Sequence, residues 1–210
     1  MNDQKQHWNE LHTKGKLKDY AKKQTTFADE VIAHFPTDAK VLELGCGLGN
    51  DSFFFATQGH TVIATDFSET AIEENKIHYQ SQQNLSFQVV DISKPLPFED
   101  NEFDVVYARL SLHYFTDAVT KQVFNELNRI LQPKGLLCFL CKSTDDSLYG
   151  QGKQIERDMF EYKGHVRHFF SMDYAKQCLS NKYEIKLSED GKEEFYDRQS
   201  AFIKIIAEKM

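Results

Sequence analysis

The sequence predicts an α/β protein with a doubly wound, seven-stranded mixed sheet. Short β-rich runs alternate with helical stretches along most of the chain, which is typical of βαβ crossovers and a parallel sheet. A glycine cluster, Gly45-Cys-Gly-Leu-Gly49, follows the first β-rich run and marks a tight turn into a helix. The last two runs, 183–187 and 195–207, flank a predicted turn at 188–192 that contains Asp190-Gly191, so they predict a C-terminal antiparallel hairpin.

The elements before the hairpin follow from apolar spacing and from cap residues. A helix with apolar residues at Phe27, Val31, Ile32 and Phe35 ends at Pro36. The predicted strands are 41–44, 61–65, 86–90, 103–108 and 136–141, and the predicted helices are 50–58, capped by Asn50 or Asp51, 68–79, capped by Ser68, and 116–131, which starts at Thr116.

The region after the fifth strand departs from this alternation. Residues 143–170 are polar, contain three glycines and exceed a normal connection in length, so we expect an inserted lid, substrate pocket or partner-docking surface. A short helix, 171–179, capped by Ser171, precedes the hairpin. The chain is therefore predicted to comprise an N-terminal lid and helix, 1–36, and one ligand-binding domain, 37–210.

Composition and charge favour a globular protein that acts on a small molecule. The chain has 210 residues, of which 32 are acidic and 25 basic, for a formal net charge of −7. Proteins that bind nucleic acid usually carry clustered positive charge, so no nucleic-acid partner is expected. The N-terminus has no apolar signal segment, and no apolar run approaches the roughly 20 residues of a membrane helix. We expect a cytoplasmic monomer or homodimer without a membrane partner.

The four cysteines predict free thiols rather than a disulfide framework. Cys138 and Cys141 have the spacing of a metal or redox motif, but both lie within one β-rich run. Residues three apart on a strand point to opposite faces, so these two thiols should diverge into the core. We therefore expect no metal site.

The glycine cluster and two carboxylates form the strongest functional pattern. Glycines between a strand and a helix let the backbone approach a ligand closely, beside the free N–H groups of the helix start. Asp66 ends the second strand, about 20 residues after Gly45, where it can accept from both hydroxyls of a ribose. The G-x-G-x-G spacing differs from that of dinucleotide sites, and Glu43 is a poor neighbour for a diphosphate. Glu43 suits an amino group or a sulfonium instead.

These residues belong to a longer pattern that resembles the class I S-adenosylmethionine-dependent methyltransferases. The likeness covers about residues 40–140 and consists of five segments in order, which are 43–49, 65–68, 90–92, 96–106 and 131–136. It implies a Rossmann-like methyltransferase fold with S-adenosyl-L-methionine as cofactor. A looser likeness, in 7–12, 49–55, 65–68 and 109–114, is to small-molecule methyltransferases of the tellurite-resistance and thiopurine type.

The resemblance implies a role for each matching residue. The glycine cluster would lie against the methionine part of the cofactor, and Asp66 would accept from the ribose hydroxyls. Phe67 would pack near the adenine, Asp91 would accept from the adenine amino group, and the Ile92 backbone would lie beside the ring. The cofactor-binding residues that we predict in full are Trp8, Tyr20, Glu43, Gly45, Cys46, Gly47, Asn50, Asp66, Phe67, Asp91, Ile92 and Arg109.

The end of the fourth strand supplies the candidate catalytic residues. Ligands of doubly wound sheets bind beyond the carboxyl ends of the strands, which places Arg109, His113 and Tyr114 near the reacting sulfur. His113 is either a base or an orienting residue, and Arg109 either holds an anionic substrate or bridges a carboxylate. The predicted function is methyl transfer to a small molecule. The alternatives are a protein or RNA acceptor, a nicotinamide-dependent oxidoreductase and a catalytically silent binding module.

Two segments are predicted to cover the crevice. Trp8 and Tyr20 precede the core and either fold over the cofactor or pack on the sheet. The insertion 143–170 follows the fifth strand, whose carboxyl end faces the same crevice. We predict that both segments are mobile without cofactor and ordered with it, because methyl transfer needs a site that excludes water. Within the insertion, the run 167–171 either contacts substrate or begins a helix with two core phenylalanines.

Overall fold

The computed structural model describes residues 23–195 and 198–210. Within those two ranges, no helix is long and apolar enough to cross a membrane. The helices are α1 (Thr26–Val31), α2 (Asn50–Thr57), α3 (Glu69–His78), α4 (Asp117–Ile130) and α5 (Met172–Leu179), with 3₁₀ turns at Ile32–His34 and Ser180–Lys182. The strands are β1 (Lys40–Leu44), β2 (Thr61–Asp66), β3 (Leu85–Val89), β4 (Phe103–Arg109), β5 (Leu131–Lys142), β6 (Lys153–Glu156), β7 (Met159–Tyr162), β8 (His165–His168), β9 (Tyr183–Phe195) and β10 (Arg198–Lys209).

Seven of these strands form one mixed sheet in the order β3-β2-β1-β4-β5-β10-β9. Strands β1 to β5 pair in parallel, and β10 pairs antiparallel with both β5 and β9. The predicted doubly wound sheet and its C-terminal antiparallel hairpin are thus confirmed. The strand order changes direction between β1 and β4, and ligands of such sheets bind in the crevice beyond the carboxyl ends at this point.

Apolar side chains cover both faces of the sheet, as the burial of parallel strands requires. Successive residues of β1 alternate between the two layers, with Val41 in one and Leu42 in the other. The same alternation separates the two thiols of β5, since Cys138 lies in the first layer and Cys141 in the second. Both are buried and free, which confirms the predicted divergence.

Side-chain caps begin three helices at the residues that the sequence predicts. Ser68, Thr116 and Ser171 each accept a hydrogen bond from the backbone N–H three residues further along. Such a cap satisfies one of the helix-terminal N–H groups that would otherwise lack a partner.

The start of α2 differs from the prediction. Its N-cap is Gly49, in a left-handed conformation with φ of 73°, so the expectation of Asn50 or Asp51 as cap was wrong. The Asp51 carboxylate is engaged elsewhere: it accepts from the N–H and hydroxyl of Thr25 and, at 2.7 Å, from the Tyr107 hydroxyl. This buried network joins the chain before α1 to α2 and β4.

The C-terminal hairpin is longer than predicted. Strand β9 runs through Asp190-Gly191 without turning, and β10 begins at Arg198, so the predicted turn at 188–192 was wrong. Gly191 pairs with Phe202, and a Cβ on Gly191 would collide with the Phe202 ring. This glycine therefore marks a close approach inside a strand rather than a turn.

The insertion 143–170 contains a second sheet, with three antiparallel strands in the order β6-β7-β8. Its end is fastened to the main sheet: the Phe170 N–H donates to the Lys142 carbonyl at 2.8 Å, and the His168 N–H donates to the His113 carbonyl at 2.9 Å. Phe169 and Phe170 are buried, as the core interpretation of that run predicts. The insertion therefore lies beside the carboxyl ends of β4 and β5.

Candidate functional site

Backbone hydrogen bonds to β2 fix the conformation of the glycine loop that follows β1. The N–H groups of Gly45 and Cys46 both donate to the Thr65 carbonyl, at 2.7 and 2.8 Å. Gly45, Gly47 and Gly49 have φ of 76°, 52° and 73°, a region that residues with a Cβ adopt at a cost of roughly 1–2 kcal/mol. Glycine at these three positions avoids that cost.

Helix α3 and its C-cap residue brace the glycine loop through two polar side chains. The Asn75 amide donates to the Gly47 carbonyl at 2.8 Å. The Tyr79 hydroxyl contacts the Leu48 carbonyl at 3.2 Å and the Asn50 side-chain oxygen at 3.1 Å. Sequence reasoning missed both residues, although their spacing of four on one helix places them on the same face and could have pointed to a shared role.

Asp66 connects the glycine loop with the start of α3. One carboxylate oxygen accepts from the Gly47 N–H at 3.0 Å, and the other accepts from the Ser68 N–H at 2.9 Å. The side chain is almost fully buried. A buried carboxylate beside the loop is the type of group that accepts hydrogen bonds from hydroxyls.

Glu43 lies buried in β1 beneath the loop. The Ser52 hydroxyl donates to its carboxylate. Burial and the neighbouring Asp51 and Asp66 raise the pKa of Glu43 to about 8, against the lowering effects of Ser52 and Arg109. A cation bound beside this carboxyl group would favour its ionised form.

Of the predicted adenine contacts, Asp91 and Ile92 follow β3, and Phe67 follows β2. Asp91 is exposed, and one of its oxygens accepts from the N–H and the hydroxyl of Ser93, at 3.0 and 2.6 Å. Ile92 and Phe67 are half-buried. The Asp91 side chain thus stabilises its own turn.

The segment after β4 brings the candidate catalytic residues to the crevice. Leu110 has a φ of 56°, and its N–H donates to the Leu140 carbonyl at 2.8 Å. Ser111 follows and lies directly over Gly45, since a Cβ on that glycine would collide with the Ser111 Cβ. Sequence reasoning missed Ser111. Its only sequence signal is its position between Arg109 and His113.

His113 is buried at the far end of this segment, and its ring contacts that of Tyr114 with centroids 4.5 Å apart. Burial, followed by the nearby Arg167, Lys142 and His168, holds the pKa of His113 well below its usual range. The imidazole is therefore neutral at physiological pH and a weak base.

Family comparison matches residues 41–135 to a methyltransferase domain. The chain is 32% identical over 101 residues to an uncharacterised methyltransferase of Synechocystis, which covers 48% of this chain and 46% of that protein. It is 28% identical to a malonyl-[acyl-carrier protein] O-methyltransferase of Ilyobacter polytropus, over 90% of this chain and 73% of that protein. A demethylmenaquinone methyltransferase of Staphylococcus saprophyticus is 32% identical, over 70% and 60%.

Solved structures share the fold over nearly the whole chain. A methyltransferase of Methanosarcina mazei has a TM-score of 0.76 at 20% identity, covering 90% of this chain and 99% of that one. A Burkholderia thailandensis 1,6-didemethyltoxoflavin-N1-methyltransferase, solved with S-adenosylhomocysteine, has a TM-score of 0.79 at 18% identity, covering 100% and 88%. TehB of Haemophilus influenzae has a TM-score of 0.73 at 16% identity, covering 92% and 65%.

Residues 41–135 of this chain are therefore identified as a methyltransferase domain. The matched domain contains the glycine loop, Asp66 and the end of β4, so the residues of the crevice lie inside the region of family likeness. The chain spans about half the length of the first of these curated relatives.

The residues of this methyltransferase domain fit S-adenosylmethionine. A Cβ on Gly47 would meet no atom within 4 Å, so the loop faces open space where a ligand can lie against the backbone. Asp66 is a carboxylate, the type of acceptor that ribose hydroxyls bind, and a cationic neighbour such as a sulfonium or an ammonium group would stabilise the ionised form of Glu43. Trp8 and Tyr20, which we also predict to contact the cofactor, lie outside the described residues.

Proposed function

We propose that this chain transfers a methyl group from S-adenosylmethionine to a small-molecule acceptor. The observation that carries the proposal is the packing of Ser111 over Gly45, which joins the cofactor loop to the segment after β4. An acceptor beside Ser111 and His113 would lie next to the methionine end of the cofactor. Relatives that methylate demethylmenaquinone, malonyl groups on a carrier protein and a toxoflavin precursor support a small organic acceptor, by their names.

The cofactor supplies a methyl group activated by a sulfonium. The residues of the chain would bind and orient it: the Gly45–Gly47 backbone would hold the methionine part, Asp66 would accept from the ribose hydroxyls, and Glu43 would stabilise the cationic end. Holding two reactants in line accounts for a large part of the rate of such displacements. This half of the site is built from groups that are already hydrogen-bonded and so need little rearrangement on binding.

His113 then acts by orientation and packing rather than as a general base. Its neutral, weakly basic ring is a poor proton acceptor, because an effective base has a pKa near the working pH. The acceptor must therefore present a lone pair that is already free at neutral pH, as an oxyanion does, or as a thiol or an amine of low pKa does. Arg109 and Tyr114 belong to the same wall and contribute to its shape and charge.

Calorimetric titration with S-adenosylmethionine, S-adenosylhomocysteine and NADH tests the cofactor. We expect the first two to bind and NADH to give no heat, and binding of NADH alone would overturn the proposal. A screen of metabolites as methyl acceptors, including thiols and selenium or tellurium oxyanions, tests the acceptor class. Methylation confined to bulk RNA or to proteins of a lysate would show that the acceptor is not a small molecule, and no turnover with any acceptor would indicate a binding module.

We place the protein in the cytoplasm as a monomer or homodimer. Cell fractionation tests the location, and light scattering tests the oligomeric state.

A further inference from the structure

Three buried polar atoms along one wall of the crevice have no hydrogen-bond partner among the described residues. They are Ser111 Oγ, His113 Nδ1 and Arg167 Nε. Ser111 and His113 are at least nine-tenths buried, with exposures of 8% and 1%. A buried polar atom without a partner costs roughly 1–3 kcal/mol, so three in one region indicate a place where a ligand completes the hydrogen bonds.

The contacts of these residues place them in a row from the cofactor loop to the insertion. Ser111 lies over Gly45, at the methionine end of the proposed cofactor site. The His113 carbonyl accepts from the N–H of His168 in β8 at 2.9 Å, and Arg167 is the preceding residue of that strand. The row therefore begins at the reacting end of the cofactor and ends on the insertion.

The charge along this row is positive, in a chain whose formal net charge is −7. Arg167 and Lys142 both act on His113 in the direction that disfavours its protonation, and Arg167 acts on Lys142 in the same way. Lys142 already has acceptors, Asp146 at 2.6 Å and the Ser200 hydroxyl at 3.1 Å. Arg167 is thus the cation of this group with an unused buried donor.

We propose that the acceptor carries a carboxylate or another oxyanion, which Arg167 binds with Ser111 and His113 as further hydrogen-bond donors. The inference rests on the proposed function for the identity of this ligand as the methyl acceptor. Planar, charge-assisted binding by a guanidinium fixes the orientation of an anion better than a point charge does. The anion on the insertion side then decides which end of the acceptor faces the cofactor.

The test measures anion binding to the full chain, with and without S-adenosylhomocysteine. The probes are succinate, its neutral isostere succinamide, and inorganic phosphate, so that carboxylate and phosphate ligands are distinguished. The readouts are the dissociation constant and the ¹⁵N signals of the His113 imidazole. We expect succinate or phosphate to bind, to shift these signals and to raise the pKa of His113, and succinamide to do none of these.

Arg167→Met should weaken anion binding about tenfold or more, with unchanged affinity for S-adenosylhomocysteine. The matched control is Arg157→Met, in the same insertion, whose side chain is 95% exposed and which should bind anions as the wild type does. Equal anion affinity in Arg167→Met and wild type, equal losses in both variants, or a wild type that binds neither anion would overturn the inference. If the chain binds anions through Arg167 but does not bind S-adenosylhomocysteine, the anion site is supported and the proposed function is contradicted.

Discussion

The two sides of the crevice differ in how completely their polar groups are satisfied. On the cofactor side, the N–H groups of Gly45, Cys46 and Gly47 all have acceptors, and α3 supplies donors to the loop carbonyls. On the side of Ser111 and His113, buried polar atoms lack partners among the described residues. We expect this difference if a preformed cofactor site lies next to an acceptor site whose hydrogen bonds are completed only when the acceptor binds.

The largest expected effect comes from Gly45→Ala, which tests how rigid the cofactor side is. The left-handed φ and the collision with the Ser111 Cβ should together lower the free energy of unfolding by about 2–5 kcal/mol. Gly47→Ala is the control, because its Cβ would meet open space and the loss should stay near 1–2 kcal/mol. Urea unfolding measures both.

The additional substitution Ser111→Gly should restore part of the stability that Gly45→Ala loses, since it removes the colliding Cβ. It should not restore stability in the Gly47→Ala background. Equal losses for the two single alanine variants would show that Ser111 is not tightly packed on the loop.

Asp66→Ala should weaken binding of S-adenosylhomocysteine by about 2 kcal/mol or more, roughly thirtyfold, through loss of charge-assisted hydrogen bonds. Asp145→Ala, an exposed residue of the insertion, should leave the affinity unchanged. Calorimetry gives the affinities, and urea unfolding shows whether the loop persists without its Asp66 bonds. If the Asp66→Ala protein folds and binds S-adenosylhomocysteine with wild-type affinity, Asp66 only stabilises the loop and does not contribute to ligand binding.

Glu43→Gln should alter the pH dependence of the cofactor side. A folded-state pKa of about 8 means that the contribution of Glu43 to stability is present at low pH and is lost as the pH rises through about 8. A cationic ligand favours the carboxylate, so affinity for S-adenosylmethionine should rise with pH toward that value in the wild type. We expect the difference between wild type and Glu43→Gln to vary with pH, in both urea unfolding and calorimetry. A pH-independent difference would contradict the raised pKa.

The smallest expected effect concerns the two predicted covers of the crevice. Hydrogen exchange with and without S-adenosylhomocysteine should show greater protection of residues 1–20 and 143–167 in the complex, whereas 168–170, bonded to the body, should be protected in both states. Deleting residues 1–20 should leave a folded protein with weaker cofactor retention and slower transfer. Equal protection of both segments in the two states would make them ordinary packing elements.

Local sequence patterns were enough to predict the doubly wound class of the sheet and the glycine loop of the candidate cofactor site. Alternating β-rich and helical runs, caps at Ser68, Thr116 and Ser171, and glycines after β1 are short-range signals that the structure follows. The same kind of signal failed at Asp190-Gly191, where a glycine that usually indicates a turn serves the packing of Phe202. The packing of Phe202, which lies on the next strand, determines the extended conformation at Gly191. A local sequence pattern cannot predict this contact.

The sequence by itself determined the class of the fold and the position of the glycine loop, because alternating strands and helices and a strand–glycine–helix run depend on residues that are close together in the chain. Only the tertiary structure decided that Ser111 packs on Gly45, that Asn75 and Tyr79 brace the loop, and that Arg167 is near enough to His113 to lower its pKa. These contacts join segments that are far apart in sequence. The register of the sheet, and the return of the insertion to the end of β5, determine which residues come into contact.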